Sequence, residues 1–527
     1  MGVYLNPGND KFYKAINSEI YVDKTELIQY TNRVFNTMQQ NVCVSRPRRF
    51  GKSMTANMLA AYYSRGCQSE KLFDGLKIKE DSSFSKYLNK YNVFFINMQE
   101  FLSRSKTVEK MVLRLNRILM RDLKQEYPDV DYFDEEDLAE SMQDVYQQTG
   151  CPFVIIIDEW DCIFREYKSD KEAQEQYLDF LRDFLKDKSY IHLAYMTGIL
   201  PIKKDGSQSA ISDFEEFTMV KPRKFAPYVG FTEQEVKDLC SEYQIDFSKM
   251  KLWYDGYSFP NAKSIYNPNS VMKALRNDDF DSYWTQTSAA ESLMEYISLD
   301  YDGLSKTIAE LIGGIEVEVD TSGFSNDLVT FREKDDVLTL LIHLGYLAYD
   351  KETEKVHIPN EEIKREFSRT IRGVRRNETI QRVRESDQII SDTVHMNADA
   401  VAAQIEKIHT EETTALFYNN EQALRSVIKL AYFSYRDYYL KFEELPSGNG
   451  YADIVYFPKK TSNLPALVVE MKWDKSAEGA IAQIKKRNYP AAIKEFGGEI
   501  LLVGINYDKD APAGERKHTC VIEKYQV

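Results

Sequence analysis

The sequence predicts an α/β protein of several domains, and three observations predict it. The chain has 527 residues, which at roughly 150 residues per domain sets a prior of three to four domains. A short β-branched run leads into a turn and then a helix at residues 41–63, and apolar runs at 152–159 and 191–198 end in polar residues. Strands of alternating character and further helices then fill residues 450–525. With 43% hydrophobic and 13% aromatic residues there is ample material for cores, so a wholly disordered chain is excluded. The net charge of −15, from 68 Lys and Arg against 83 Asp and Glu, argues against a protein that coats nucleic acid over its whole surface. It leaves room for local basic grooves. None of the six cysteines forms a C-x-x-C pair or stands at zinc-ligand spacing with a histidine, so they are expected to be thiols in a reducing cytosol. No basic n-region and apolar h-region opens the chain, and no run reaches the ~18 apolar residues of a membrane span. A cytoplasmic protein without a membrane partner is expected.

Asn41 to Ser53 is the most informative segment. A β-branched run enters a turn that ends in Gly51-Lys52-Ser53, and residues 54–63 follow as a helix. This is the second half of the phosphate-binding pattern G-x-x-x-x-G-K-[ST]. Gly51 lets backbone N–H groups close around phosphate oxygens, and the helix N-terminus adds its positive dipole end. Lys52 reaches the β- and γ-phosphates, and the Ser53 hydroxyl is placed for Mg2+. Arg46 stands where the strict pattern has its first glycine. From Val42 to Gly66 there are five basic residues (Arg46, Arg48, Arg49, Lys52, Arg65) and no acidic one, in a chain that is acidic overall. A local anion site is expected there.

Residues 152–159 form a continuous apolar run that ends in Asp158 and Glu159, as a strand buried on both faces of a parallel sheet does. Ligands of open α/β sheets bind at that C-terminal edge. Asp158 can hold Mg2+ through water, and Glu159 can orient and activate the attacking water. Residues 191–198 form another such run, and Thr197 at its tip can sense a γ-phosphate. The candidate nucleotide-binding set is therefore Arg48, Arg49, Phe50, Gly51, Lys52, Ser53, Asp158 and Thr197, with ATP and Mg2+ as cofactors.

The stretches Tyr21-Val22-Asp23-Lys24-Thr25-Glu26-Leu27-Ile28, Arg46-Pro47-Arg48-Arg49-Phe50-Gly51-Lys52-Ser53 and Ile157-Asp158-Glu159-Trp160-Asp161 resemble the AAA-ATPase-like family. These are bacterial and archaeal proteins that couple an N-terminal P-loop ATPase domain to a C-terminal PD-(D/E)XK-type nuclease domain. The resemblance implies that Arg46 in place of glycine is a family trait, and that Trp160 replaces a more usual tyrosine with slight effect. It also implies a protein that binds ATP and hydrolyses it slowly.

Beyond residue 230 the chain turns helical and polar. Thr232 and Glu235 form a capping box, and aromatic turns at residues 253–259, 265–270 and 282–284 read as packing, with a helical lid over the nucleotide as the functional alternative. Residues 338–349 read as a helix running into a strand, followed by a hairpin near 356–360 and a charged helix at 361–371. That winged-helix-like order is expected to pack on the nucleotide domain. Residues 373–412, with Arg372, Arg375, Arg376, Arg382 and Arg384 at their start, read as a helical connector.

In the C-terminal part, residues 450–457 alternate as a strand and residues 466–472 form a second. Glu470 and Lys472 are two apart and so share a face, where Asp453 on the neighbouring strand can meet them. Two carboxylates and a lysine on one face make a Mg2+ or Mn2+ site. Asp453 and Glu470 would ligate the metal, and Lys472 would stabilise developing phosphorane charge or position water. This is the Asp…Glu-x-Lys pattern of the PD-(D/E)XK superfamily. The resemblance adds Glu421, in the place of that superfamily's extra helix acid, and Gln483 on the helix 476–489 near the metal. Strands are expected at 499–505 and 517–525, for a core order α-β-β-α-β. From Lys459 to Lys494 there are eight basic residues against three acidic, which fits a nucleic-acid substrate, DNA favoured over RNA.

The expected architecture is a P-loop domain at 1–229, a helical lid-like region at 230–298, a winged-helix-like region at 299–372, a connector at 373–412 and a nuclease-like domain at 413–527. The expected function is an ATP-regulated, metal-dependent nuclease, with homo-oligomers compatible with it. The alternatives are a signalling ATPase whose nuclease-like domain only binds nucleic acid or a protein partner, and a translocating motor.

Overall fold

The computed structural model describes residues 2–202, 211–284, 304–324, 331, 333–373, 378–412, 421–432, 435, 438–447, 450–459, 464–487, 498–512 and 515–525. The chain divides into two compact units. The first is Met1–Ala290 with Glu318–Glu366, the second Glu291–Val317 with Phe367–Val527.

The first unit is built on a five-stranded, all-parallel sheet. Its strands are β1 (Asn41–Ser45), β2 (Asn92–Asn97), β3 (Phe153–Asp158), β4 (Ile191–Gly198) and β5 (Glu215–Phe217), in the order β2-β3-β4-β1-β5. β1 and β3 are buried along their whole length, which is why both read as near-continuous apolar runs. From β1 the chain crosses to the far edge, returns through β3 and β4, and only then adds β5 on the other side of β1. The strand order thus reverses at β1, and the C-terminal ends of β1, β4 and β3 border the crevice where open α/β sheets bind ligands. The helix after β1, α1 (Lys52–Tyr63), packs across β2, β3 and β4. Ala56, Leu59, Ala60, Ala61, Tyr62 and Tyr63 are all buried, so its C-terminal half is core, while Ser53 and Met54 in the first turn are exposed.

The same unit contains a small antiparallel sheet of β6 (Phe231–Thr232), β7 (Tyr257–Phe259) and β8 (Ala262–Tyr266), in a region expected to be helical. The capping box opens α2 (Glu233–Glu242): the Glu235 amide donates to Thr232 Oγ1, and the Thr232 amide donates to the Glu235 carboxylate at 2.7 Å. The helix-hairpin-helix order is also present, as α3 (Lys334–Leu344), β9 (Ala348–Asp350), β10 (Lys355–His357) and α4 (Glu361–Gly373). Its residues up to Glu366 belong to the first unit. There it lies against the loop after β1. Gly345 ends α3 with φ +85, and a Cβ at that position would stand 2.7 Å from Pro47 Cγ. The Gly345 carbonyl accepts from Tyr257 OH, whose ring meets Phe50 edge-on at 5.4 Å.

Where α4 packs on the unit it buries Glu362, 1% exposed, which accepts from Ser270 Oγ at 3.0 Å and from the Tyr283 amide at 2.7 Å. Burial pushes its carboxyl up to about 7. Because the folded value lies above the ordinary 4.5, the fold gains stability from the protonated form below pH 4.5. That gain is lost as pH rises to about 7 and is constant beyond it. The difference is worth ~3 kcal/mol at most, at ~1.4 kcal/mol per pH unit. Glu362→Gln is therefore expected to flatten the fall in melting temperature between pH 5 and 7, as a pH series of thermal melts would read. An unchanged slope counts against a buried, protonating Glu362.

The second unit is a five-stranded mixed sheet, β11 (Tyr439–Ser447), β12 (Gly450–Pro458), β13 (Ala466–Trp473), β14 (Ile500–Tyr507) and β15 (His518–Lys524), in sequential order. All neighbours are antiparallel except β13 and β14, which are parallel across the crossover helix α8 (Ala477–Lys486). The stretch expected to be a connector forms α5 (Glu378–Val394) and α6 (Ala398–Glu412). Ile389, Ile390, Val401 and Ile405 of these helices join Leu424 and Ile428 of α7 (Glu421–Ala431) in the core on one face of the sheet. Ile481 and Ile484 of α8 pack with Val455, Val468 and Leu502 on the other. Among the five arginines at the start of that stretch, Arg375 and Arg376 lie outside the described residues. Strand β11 is absent from the α-β-β-α-β reading. It is an edge strand with charged residues at Lys441, Glu443 and Glu444, and its Leu440 and Phe442 side chains are exposed.

Candidate active sites

The phosphate-type loop leaves β1 with the Arg46 amide donating to Gly198 O at 3.0 Å and Ser45 Oγ donating to Leu200 O at 2.8 Å. Arg46 is completely buried beneath the loop. Its Nη1 donates to Ser45 O and Phe217 O, each at 2.9 Å, and its guanidinium stands 5.2 Å from the Phe259 ring centroid. Burial lowers its pKa to about 10. Arg46 therefore ties β1 to β5, and the excess charge facing the crevice comes from other residues.

Arg49 takes the left-handed conformation at φ 68 and donates Nη1 to the Tyr283 carbonyl. Burial and the nearby Arg165 lower the pKa of Arg48, with Glu159 and Asp161 opposing. Phe50 is buried, and Gly51 at φ 92 caps α1 in a conformation that side chains disfavour. Lys52 is 8% exposed, and its Nζ donates to Arg46 O and Pro47 O, both at 2.8 Å. Burial brings its pKa down to about 8 against the pull of Asp161, Asp158 and Glu159. Ser53 is exposed in the first turn of α1.

Strand β4 lies between β1 and β3, with Val44 level with Thr197 and Ile157 level with Met196. This register brings Thr197 to Asp158: Thr197 Oγ1 donates to Asp158 Oδ1, and Asn97 Nδ2 at the end of β2 donates to Oδ2 at 3.3 Å. Asp158 is 2% exposed and is held by these neutral donors rather than by an ion pair among the described residues. A buried carboxylate whose hydrogen-bond partners are neutral donors is a group that could hold a hard divalent cation.

Glu159 follows in the left-handed region at φ 56, and Arg165 Nη2 donates to its Oε2 at 2.7 Å. Arg165 Nε stands 3.3 Å from the buried Asp161, whose Oδ2 also accepts the Ile199 and Leu200 amides at 3.0 and 2.9 Å. Trp160 is fully buried against Gly198, where a Cβ would come within 2.6 Å of its Nε1. Asn97 and Arg165 escaped the sequence reading. Arg165 lies one turn on from Asp161, and that i,i+4 spacing was the available signal. Beside Gly51, an open cleft is lined largely by apolar and aromatic side chains, among them Tyr21, Val22, Met54, Phe231 and Met272. Lys24 at its wall is paired with Glu235 at 2.5 Å.

In the second unit, Glu470 and Lys472 share one face of β13, with Lys472 Nζ 3.0 Å from Glu470 Oε1. Gln483 from α8 donates Nε2 to the same oxygen. Asp453 on β12 accepts the Met471 amide at Oδ2, 2.9 Å, and Arg425 Nη2 at Oδ1, 3.1 Å. Glu470 is 2% exposed, and its Oε2 is buried without a hydrogen-bond partner. Burial first, then Asp453, raises its pKa, while Lys472 opposes. A buried carboxylate oxygen with no donor, next to a second carboxylate, fits a divalent cation held by Asp453 and Glu470. Among the described residues no cluster of three or more His, Cys, Asp or Glu is placed to hold a metal. Glu421 opens α7, and its side chain lies outside the described residues. Arg425 was not read from the sequence, because nothing local marks a helix residue that pairs with a strand 28 positions away.

Together these features define a Walker-type P-loop domain followed by a PD-(D/E)XK-type domain. Residues 8–207 match the family model described as predicted AAA-ATPase, AAA-ATPase-like, and residues 419–513 match the PD-(D/E)XK nuclease superfamily model. The chain thus carries an AAA-ATPase-like domain at its N-terminus and a PD-(D/E)XK nuclease superfamily domain at its C-terminus. An uncharacterized protein in the vnfD 5'region of Azotobacter chroococcum mcd 1 is 22% identical over 294 residues, 53% of this chain and 52% of that protein. The chain therefore spans about half the length of the curated relative it matches. Among solved structures, the Walker-type ATPase PABY2304 of Pyrococcus abyssi aligns at 13% identity over 66% of this chain and 94% of its own, with a TM-score of 0.33. The Aeropyrum pernix ORC2 protein, in ADPNP–ADP complexes, aligns at 13% identity over 68% and 97%, with a TM-score of 0.31. No described helix is long and apolar enough to cross a membrane. All six cysteines are free thiols.

Proposed function

We propose that the chain is an ATP-binding, slowly hydrolysing switch that regulates a metal-dependent nuclease acting on DNA or RNA phosphodiesters, with DNA the favoured substrate. The observation that carries the nuclease half is the buried, partnerless Oε2 of Glu470 beside Asp453, with the Lys472 ammonium 3.0 Å from the other Glu470 oxygen. The chemistry a divalent ion supplies there is Lewis-acid polarisation of a phosphodiester. Lys472 offsets the negative charge that develops on the phosphoryl oxygens. Gln483 fixes the Glu470 carboxylate, and the Met471 amide fixes that of Asp453.

In the first unit, Lys52 exchanges the Arg46 and Pro47 carbonyls for phosphate oxygens. Arg48, Arg49 and the amides around Gly51 complete an anion cradle at the start of α1. Ser53 and Asp158 would hold Mg2+, Thr197 would report the γ-phosphate, and Glu159 would orient water once released from Arg165. The apolar cleft beside Gly51, with Tyr21, Met54 and Phe231 in its lining, receives the base.

The test is digestion of labelled DNA and RNA with Mg2+ or Mn2+, with and without ATP. Metal-dependent cleavage whose rate changes on adding ATP is the expected result. Nucleic-acid binding without cleavage under either metal overturns it in favour of a signalling ATPase with a binding-only domain.

A further inference from the structure

The candidate nuclease site holds one cation that the proposed chemistry leaves unused. Arg425 projects from α7, whose neighbours Leu424 and Ile428 belong to the core on one face of the sheet, while Gln483 comes from α8 on the other. Its Nη2 lies 3.1 Å from Asp453 Oδ1. The two carboxylates of the site are therefore neutralised differently. Glu470 is matched by Lys472, and that pair is 3% and 12% exposed. Asp453 is matched by Arg425, and that pair is 16% and 26% exposed. Arg425 is the longer and more accessible of the two cations, and its planar fork suits a phosphate as well as a carboxylate.

We propose that Arg425 is an exchange partner for Asp453: it neutralises that carboxylate while no metal is bound, and it passes to a phosphate oxygen of the nucleic acid when a divalent ion takes Asp453. The proposal rests on the nuclease reading of this site. The geometry supports it. Arg425 Nη2 donates to Asp453 Oδ1 at 3.1 Å, so a divalent ion that takes this oxygen displaces a charge-assisted hydrogen bond. Such bonds are individually strong, and a phosphate oxygen offers the guanidinium an equivalent charge-assisted bond in exchange. The substrate backbone supplies one at the moment the metal arrives, so metal and substrate each favour the other's binding.

A residue that merely tethered α7 to β12 would lower metal binding and cleavage together when removed. An exchange partner moves them in opposite directions. The experiment is a Mn2+ titration of the full chain by electron paramagnetic resonance without nucleic acid, with Asp453→Asn as the blank, beside cleavage kinetics on labelled duplex DNA in Mn2+. Arg425→Ala is expected to bind Mn2+ ~10-fold tighter, the equivalent of ~1.4 kcal/mol, because no guanidinium has to leave. Its kcat/KM for cleavage is expected to fall ~10-fold or more through loss of the phosphate contact. Arg425→Gln, which keeps the side-chain bulk without the charge, is expected to do the same if the alanine variant folds poorly. Arg425→Lys is expected to keep the parent's Mn2+ affinity. Unchanged or weaker Mn2+ binding in folded Arg425→Ala and Arg425→Gln, beside a parent that cleaves, overturns the exchange and leaves the nuclease reading standing. A parent that cleaves neither DNA nor RNA overturns the nuclease reading itself, and the phosphate half of the exchange with it.

Discussion

Replacing Lys52 by alanine is expected to weaken ATP binding by ~100-fold or more. The loss removes two or more charge-assisted contacts to phosphate, each worth ~1.5–3 kcal/mol. The geometry also sets the pH dependence. With its ammonium buried against Arg46 O and Pro47 O, Lys52 has its pKa brought down to about 8. Above that pH the free protein carries a neutral amine, and ATP binding must take up a proton. ATP affinity of the parent is therefore expected to fall as pH rises through 8, whereas Lys52→Arg, whose guanidinium stays charged, shows no such fall in that range. Fluorescent-nucleotide titrations at several pH values check both statements. Circular dichroism melts serve as a control, because the alanine variant leaves two loop carbonyls without their donor. ATP affinity that survives in a folded Lys52→Ala removes the phosphate-loop assignment.

The second large effect is expected at Lys472. Alanine there should reduce metal-dependent cleavage by ~100- to 1,000-fold, the scale of removing one electrostatic donor from a developing oxyanion. Part of the loss has a separate origin. Lys472 opposes the rise that burial and Asp453 impose on Glu470. Without it the Glu470 carboxyl protonates more readily, and a protonated carboxyl is a poor metal ligand. The deficit of Lys472→Ala should therefore be greatest at low pH and shrink as pH rises, whereas Glu470→Gln should be inactive throughout. Rate profiles on labelled duplex between pH 6 and 9 separate the two. Cleavage at the parent's rate in Lys472→Ala leaves the Glu-x-Lys reading without its central residue.

Much of the frame was legible because its signals are local. A strand buried on both faces can only be apolar, so β3 announced itself, and its first charged residues mark where it reaches the crevice. Glu470 and Lys472 share a face because strand side chains alternate. Lys52 starts a helix because Gly51 is tolerant of the positive φ that precedes it. The capping box at Thr232 and Glu235 is a contact over three residues, and it is present as read. β11 was missed because an edge strand with a solvated face and charged residues carries no apolar period to detect.

The opposite holds for what each candidate site residue touches. Arg46 reads as part of a basic cluster, yet its guanidinium is buried and bonded to Phe217 O, 171 residues on. Thr197 meets Asp158 only because β4 inserts between β1 and β3, a choice of strand order that no strand's own sequence encodes. Arg425 finds Asp453 from the helix layer on the other side of the sheet. Residues 334–366 fold back onto the first unit, and Gly345 abuts Pro47 nearly 300 positions earlier in the chain. By itself the sequence determined the periodicities, the caps and the residue types at the strand ends, because these depend on neighbours a few positions away. Only the tertiary structure decided which charges are paired and which carboxylate oxygen of Glu470 is left without a donor. Those outcomes depend on the register and layering of segments far apart in the chain, where a pairing energy of a few kcal/mol is settled by what else is buried alongside.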